Sequence, residues 1–290
     1  MIVSLLWWAL IVVGIVFGYF WSAETKRKGG LVMPTWLGVA IGFVTNFFDT
    51  LGIGSFAPTT ALFKFFKTAP DEEIPGTLNV GHLLPTIVEA LAYIALVKVD
   101  PLTLVLMIVA AVAGSYFGAG IVARLPRRGV QVGMGVALLV AAAFFVAKEE
   151  AFNPAGASLG LTGWTLAFAV FANFWLGALM TLGIGMYAPA MILVGLLGMN
   201  PKAAFPIMMG SCAFLMPTAG ARFLRLDRYT LKAALGLTLG GIPGVLIAAF
   251  IVKSLDVYWL RWGVVFVVVI AAAMMLHSAY SERRPAAVPA

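Results

Sequence analysis

The chain has 290 residues, of which 62% are hydrophobic and 11% charged, with a mean hydropathy of +1.02. Soluble domains carry about 25% charged residues, so this composition excludes a soluble enzyme or binding module and indicates a polytopic membrane protein. The net charge of +7 sits in short loops, where it orients a membrane protein by the positive-inside rule rather than binding nucleic acid, and a single cysteine, Cys212, excludes a disulfide framework.

Nine apolar segments run along the chain, at residues 2–22, 35–67, 75–97, 101–123, 129–147, 161–197, 203–221, 230–252 and 258–279. A helix needs about 20 apolar residues to cross the hydrocarbon core. The pattern therefore predicts an all-α fold and not an outer-membrane barrel of alternating strands. The first segment has no basic residue before it and no small-residue cleavage site after it, and Lys26-Arg27-Lys28 follows. It reads as a retained N-terminal helix with a basic loop, residues 1–30, rather than a signal peptide. Segments two and six are too long for one ordinary span, and each is interrupted near its middle. The interruption Thr50-Leu51-Gly52-Ile53-Gly54-Ser55-Phe56-Ala57-Pro58 returns as Thr181-Leu182-Gly183-Ile184-Gly185-Met186-Tyr187-Ala188-Pro189, with seven of nine positions identical.

A shift of 131 residues superposes these copies and, without a gap, also Leu62 with Leu193, Pro70 with Pro201 and Pro75 with Pro206. Further on, Gly114-x-x-x-Gly118 matches Gly240-x-x-x-Gly244 and Gly133 matches Gly263. The Gly-x-x-x-Gly pairs have the spacing of close-packed membrane helices. After residue 30 the chain divides into a first repeat, 31–150, a second repeat, 151–280, and a tail, 281–290, that reads as disordered. Loop charge selects a layout for segments two and six. If each enters and returns on one side as a hairpin, 14 of the 19 Lys and Arg residues share a side, against 11 if each is one broken span. The hairpin fits the positive-inside rule better. A hairpin plus three spans gives each half an odd number of crossings, so the repeats are predicted to be inverted, as in many transporters with broken helices near the midplane.

Gly52, Gly54, Gly183 and Gly185 let the backbone turn sharply, and Pro58 and Pro189 stand where a second half-helix begins. A break at membrane depth survives only where it is buried in protein or lines a cavity. The half-helix after it offers free N–H donors and about half a positive charge. Two such N-termini facing each other predict a small-anion site without a buried Lys or Arg; paired proline kinks that only help packing are the alternative. Polar side chains near the breaks are Asn46, Asp49, Thr50, Ser55 and Thr59 in the first half and Asn173, Thr181 and Tyr187 in the second. The aligned hydroxyls of Thr50 and Thr181 either bind the oxyanion or satisfy an i−4 carbonyl. The break glycines and prolines, with Asn46, Thr50, Ser55, Asn173, Thr181 and Tyr187, are the substrate-binding candidates.

Asp49, whose counterpart is Met180, is either a coupling residue for a proton or sodium or a cap on the turn that it precedes. Asn79, His82, Thr86 and Glu89 share one helix face, while the matching positions in the second half are Gly210, Ala213, Pro217 and Gly220. Backbone features are thus duplicated and titratable ones are not. His82 and Glu89 form a candidate proton-handling pair or part of a polar stripe facing a hydrated vestibule. Arg222, Arg225 and Arg228 read as topogenic. The sequence contains neither a phosphate loop nor a His/Cys/Glu cluster at metal-ligand spacing. No ATP motor, cofactor or metal is expected, and an intramembrane enzyme is the weakest alternative.

In the Gly42-Phe43 opening, the Leu51-Gly52-Ile53-Gly54 to Pro58 run with its copy Leu182-Gly183-Ile184-Gly185 to Pro189, and the Gly114/Gly118 and Gly240/Gly244 pairs, the sequence resembles the sulfite exporter TauE/SafE family of bacterial inner-membrane permeases, over roughly residues 31–279. The family's motif is usually richer in glycine where Ser55-Phe56 and Met186-Tyr187 stand here. The resemblance implies ATP-independent transport of a small sulfur-containing or organic anion such as sulfite, a sulfonate or sulfoacetate, with the two Gly-Pro loops as substrate-binding elements. The expected protein is a multi-pass secondary transporter of the bacterial inner membrane, proton-coupled through Asp49, Glu89 or His82, with a passive channel as the alternative. Its expected partners are the anion and the lipid bilayer, with homodimerisation left open.

Overall fold

The computed structural model describes residues 2–27, 29–30, 32–151, 158–183, 185–251, 269 and 272–281. Among these, all regular structure is helical, apart from one isolated bridge between Ser158 and Met199. Helix α1 (Ile2–Arg27) leads to α2 (Trp36–Thr50), the first break, and α3 (Phe56–Phe66). A 3-10 turn (Asp71–Glu73) enters α4 (Ile74–Gly81) and α5 (Leu83–Leu96), followed by α6 (Pro101–Val122) and α7 (Arg127–Ala151). The second half repeats the order with α8 (Gly163–Met180), the second break, α9 (Tyr187–Leu196), a 3-10 turn (Pro201–Ala203), α10 (Ala204–Arg225) and α11 (Leu231–Ile251). Residues 272–281 are helical. Residues 258–268, 270 and 271 of the ninth apolar segment and the tail from residue 282 lie outside the described residues.

Among the described residues, six stretches are long and apolar enough to cross a membrane: Val3–Arg27, Asp71–Leu96, Pro101–Val122, Gly163–Met180, Ala204–Arg225 and Leu231–Ala249. Side-chain caps mark the starts of α6 and α2. Asp100 caps α6 by accepting the Thr103 N–H at 2.8 Å, with Pro101 at its first position. Thr35 caps α2 by accepting the Gly38 N–H at 3.1 Å.

Helix α10 lies at the centre, with 72% of its apolar window buried, and contacts α4, α5, α6 and α9. Two glycine-mediated pairs flank it. In the first, Gly240 and Gly244 of α11 press on the Val39 and Phe43 carbonyls of α2, and Gly42 presses on Leu237. In the second, Gly114 and Gly118 of α6 press on Phe174 and Ala178 of α8, and Gly177 presses on Ala111. A Cβ at any of these positions would overlap backbone, so the small residues are what allow the close approach that holds helices together in lipid. Helices α2 and α8 carry the repeated break, and α6 and α11 carry the repeated Gly-x-x-x-Gly. Each break helix therefore packs on the glycine helix of the other half.

Helix α1 is peripheral, with 11% of its window buried. Its inner face meets Ile87 through Gly14 and Gly220 through Phe17, and the Trp7 indole donates to the Leu91 carbonyl at 2.7 Å. Leu5, Trp8, Ile15 and Tyr19 are exposed, as lipid-facing side chains of a spanning helix are.

Polar contacts gather the helix ends into two groups. In one, Lys64 near the end of α3 pairs with Asp71 at 2.7 Å, Arg127 at the start of α7 lies 3.6 Å from Glu72, and the Thr230 hydroxyl before α11 donates to Glu73 at 2.6 Å. In the other, the Asp100 N–H before α6 donates to the Leu159 carbonyl at 2.7 Å, and the Asn200 N–H after α9 donates to the Ser158 carbonyl at 2.8 Å.

Candidate functional site

The glycines of the two breaks share one backbone conformation. Gly52 and Gly54 adopt φ of 83° and 93°, and Gly183 and Gly185 adopt 98° and 74°, a region that glycine enters without strain. Helix α2 closes with the Gly52 N–H donating to the Asp49 carbonyl at 2.7 Å, and α8 with the Gly183 N–H donating to the Met180 carbonyl at 2.9 Å. Helices α3 and α9 then start at Phe56 and Tyr187 with no side-chain cap, and Pro58 and Pro189, which have no N–H to satisfy, fall in their first turns. The tips face each other reciprocally: a Cβ on Gly54 would stand 3.8 Å from the Tyr187 Cβ, and one on Gly185 would stand 3.5 Å from the Phe56 Cβ.

Between the tips lies a cavity of about 10 Å³, room for about one water. Asp49, Gly54, Ser55, Gly185 and Tyr187 line it, together with Phe56, Thr86, Met180, Met186 and Cys212. Ser55-Phe56 and Met186-Tyr187 are the only two positions at which the nine-residue repeats differ. The shared residues build the turns, and the differing ones face the cavity. That difference was the signal for Phe56 and Met186, which were not among the candidates.

Two carboxyl groups belong to this region. Asp49 accepts the Ser55 hydroxyl at 2.8 Å. Glu89, fully buried, accepts the Tyr187 hydroxyl at 2.7 Å through Oε2, which joins the first half to the second, while Oε1 has no hydrogen-bond partner among the described residues. Thr50, beside Glu89, gives its proton to the Asn46 carbonyl at 2.9 Å instead. None of the residues lining the cavity is a Lys or Arg.

His82 and Glu89 have separate partners. The Asn46 amide nitrogen donates to the Gly42 carbonyl at 2.7 Å, which leaves Asn46 Oδ1 to accept from His82 Nδ1 at 3.0 Å; Thr59 then donates to Nε2 at 3.0 Å. Both ring nitrogens are thus engaged in the neutral form, and the ring packs on Phe56 at 5.7 Å between centroids. Asn79 donates to the Pro75 carbonyl at 2.8 Å. Thr181 donates to the Ala178 carbonyl at 2.6 Å. Asn173 donates to the Met107 carbonyl at 2.7 Å and to Ser211 at 3.2 Å, tying α8 to α6 and α10 away from the cavity. Gly52 lies against the Phe205 ring and Gly183 against Met134.

A family model described as sulfite exporter TauE/SafE matches residues 1–145, half of the chain, and includes the first break with Asp49, His82 and Glu89. The chain belongs to the sulfite exporter TauE/SafE family. The match starts at residue 1, so it takes in α1, which the motif-based resemblance from residue 31 left out. No curated protein and no solved structure matches the chain. Membership makes this TauE/SafE protein a membrane transport protein. Its second break and Tyr187 lie beyond the matched half, joined to it through Glu89.

Proposed function

We propose that the protein is a secondary transporter moving a small sulfur-containing or organic anion, of the sulfite, sulfonate or sulfoacetate kind, across the bacterial inner membrane, coupled to protons. The observation that carries this reading is the meeting of two half-helix N-termini at one buried cavity, with one carboxyl group, Asp49, in its wall and a second, Glu89, one hydrogen bond behind Tyr187. The N-termini attract an anion. Asp49 in the wall, and Glu89 one hydrogen bond behind it, oppose an anion when they are ionised, with no lining Lys or Arg to offset them. The anion therefore enters only with compensating positive charge, and protons on the carboxyls supply it.

The chain is further read as two inverted repeats with re-entrant hairpins α2–α3 and α8–α9. The reading is supported by the two groups of helix ends: α3 finishes beside the start of α7 and the α10–α11 loop, whereas α9 finishes beside the start of α6 and the approach to α8. Lys64, Arg127 and Arg222 end α3, begin α7 and end α10, which supports a cytoplasmic position for the basic end. Rocking one half against the other then exposes the tips to each side in turn, and a cavity with room for one water corresponds to a closed intermediate.

The test is flux of labelled sulfite into proteoliposomes with methanesulfonate as competitor. Saturable, competed uptake is expected. Flux proportional to concentration without saturation indicates a channel instead, and absence of uptake of labelled sulfite and, in a parallel assay, of labelled methanesulfonate overturns the substrate assignment.

A further inference from the structure

A second cavity, of about 660 Å³, opens beside the end of α3. It shares no residue with the cavity between the tips, and α3, 11 residues long and so about 16 Å at 1.5 Å per residue, separates the two. Lys64, Lys67 and Arg127 converge on it with His277; Asp71 is the carboxylate in its lining, and Glu72 lies 3.6 Å from Arg127 just outside it. Lys64 is anchored there by Asp71 at 2.7 Å and Ser278 at 3.0 Å. The Thr68 hydroxyl, also in the wall, has its oxygen buried without a hydrogen-bond partner among the described residues. Helix α7 begins at Arg127, so its first N–H groups and the positive end of its dipole lie at the same place. Phe63, Pro70 and Met274 give the cavity an apolar wall.

Orientation in the membrane explains why cations occupy this end of the molecule. It does not explain why they surround a cavity of ligand-binding size together with an unpaired hydroxyl. We propose that this cavity binds a phosphate-type oxyanion, held by Lys67 and Arg127 with Thr68 and His277 as hydrogen-bond donors. Both a lipid phosphate headgroup and free inorganic phosphate present that chemistry. The site does not depend on which anion the protein transports.

Thermal unfolding of the full chain tests the site in two arms: purified protein in nonionic detergent with inorganic phosphate against chloride at equal ionic strength, and nanodiscs of phosphatidylcholine with or without phosphatidylglycerol. The variants are Lys67→Asn, which keeps a residue tolerant of the left-handed φ of 53° at that position, and His277→Gln. The wild type is expected to be stabilised saturably by at least one probe. The double variant should unfold at the wild-type temperature without ligand and bind at least tenfold more weakly. Stabilisation by phosphatidylglycerol alone identifies the lipid headgroup, and stabilisation by phosphate identifies the free anion. If neither probe exceeds its control, or the double variant binds as the wild type does, the proposal fails.

Discussion

Replacing Tyr187 by phenylalanine removes only the hydroxyl that Glu89 Oε2 accepts at 2.7 Å. Glu89 Oε1 is already without a partner among the described residues, so the variant leaves both oxygens of a buried carboxyl unmet by them. An unsatisfied buried group costs about 1–3 kcal/mol. The adjoining cavity has room for about one water, which restores one bond and puts the expected loss near the lower end, about 1 kcal/mol. Glu89→Leu alone strands the Tyr187 hydroxyl at a similar cost. The double variant strands neither group, so the two losses should not add. Equilibrium unfolding in mixed micelles of the four proteins measures this directly, with a coupling energy of about 1–2 kcal/mol expected. A coupling below about 0.3 kcal/mol, the scatter of independent sites, would refute the link between the halves through these two side chains.

Gly114→Ala puts a methyl into the Phe174 carbonyl and is expected to cost about 1–3 kcal/mol by overpacking, seen as lost folded yield. Gly18→Ala, with nothing within 4 Å of the added carbon, should leave the yield unchanged. Thr50→Val combined with Thr181→Val should keep the KM for transport within about twofold, since both hydroxyls donate to carbonyls of their own helices; a tenfold rise in KM would assign them to the substrate. Because Cys212 is buried, reporter cysteines can be read against low background. Phe66→Cys and Lys202→Cys are expected to react with an impermeant maleimide from opposite faces of the membrane, and reaction from one face would contradict inverted hairpins.

Much of the fold was legible because its determinants are local and repeated. The breaks follow from glycines that must take positive φ, and the two flanking helix pairs from glycines that must touch backbone. The breaks need no knowledge of distant partners, whereas the glycine spacing marks close packing without saying that each glycine helix meets the break helix of the other half. Side-chain partnerships were less legible. Helical spacing put Asn79, His82, Thr86 and Glu89 on one face, but spacing says nothing about what that face meets. Asn79 bonds within its helix, His82 meets Asn46 and Thr59, and Glu89 meets Tyr187, which is 98 residues away in sequence. Asn173 was near the second break only in sequence. Eight residues of helix before Thr181 amount to about 12 Å, which carries its amide to α6 and α10. Conversely, Cys212, which in the sequence only excludes a disulfide framework, reaches the cavity wall because α10 runs through the centre of the molecule.

The central claim is that anion movement is tied to proton movement by carboxyl groups at the tips. Accumulation of labelled sulfite in proteoliposomes under an imposed pH gradient, with membrane potential clamped, measures it most directly for the wild type and for Glu89→Gln, whose amide oxygen still accepts the Tyr187 hydroxyl. With one proton coupled per anion, a gradient of about one pH unit holds about 1.4 kcal/mol and sustains a concentration ratio of about tenfold. The account predicts such a ratio in the wild type and a ratio near one in the variant. Equal ratios in the two proteins, or simple equilibration of the wild type, would contradict it.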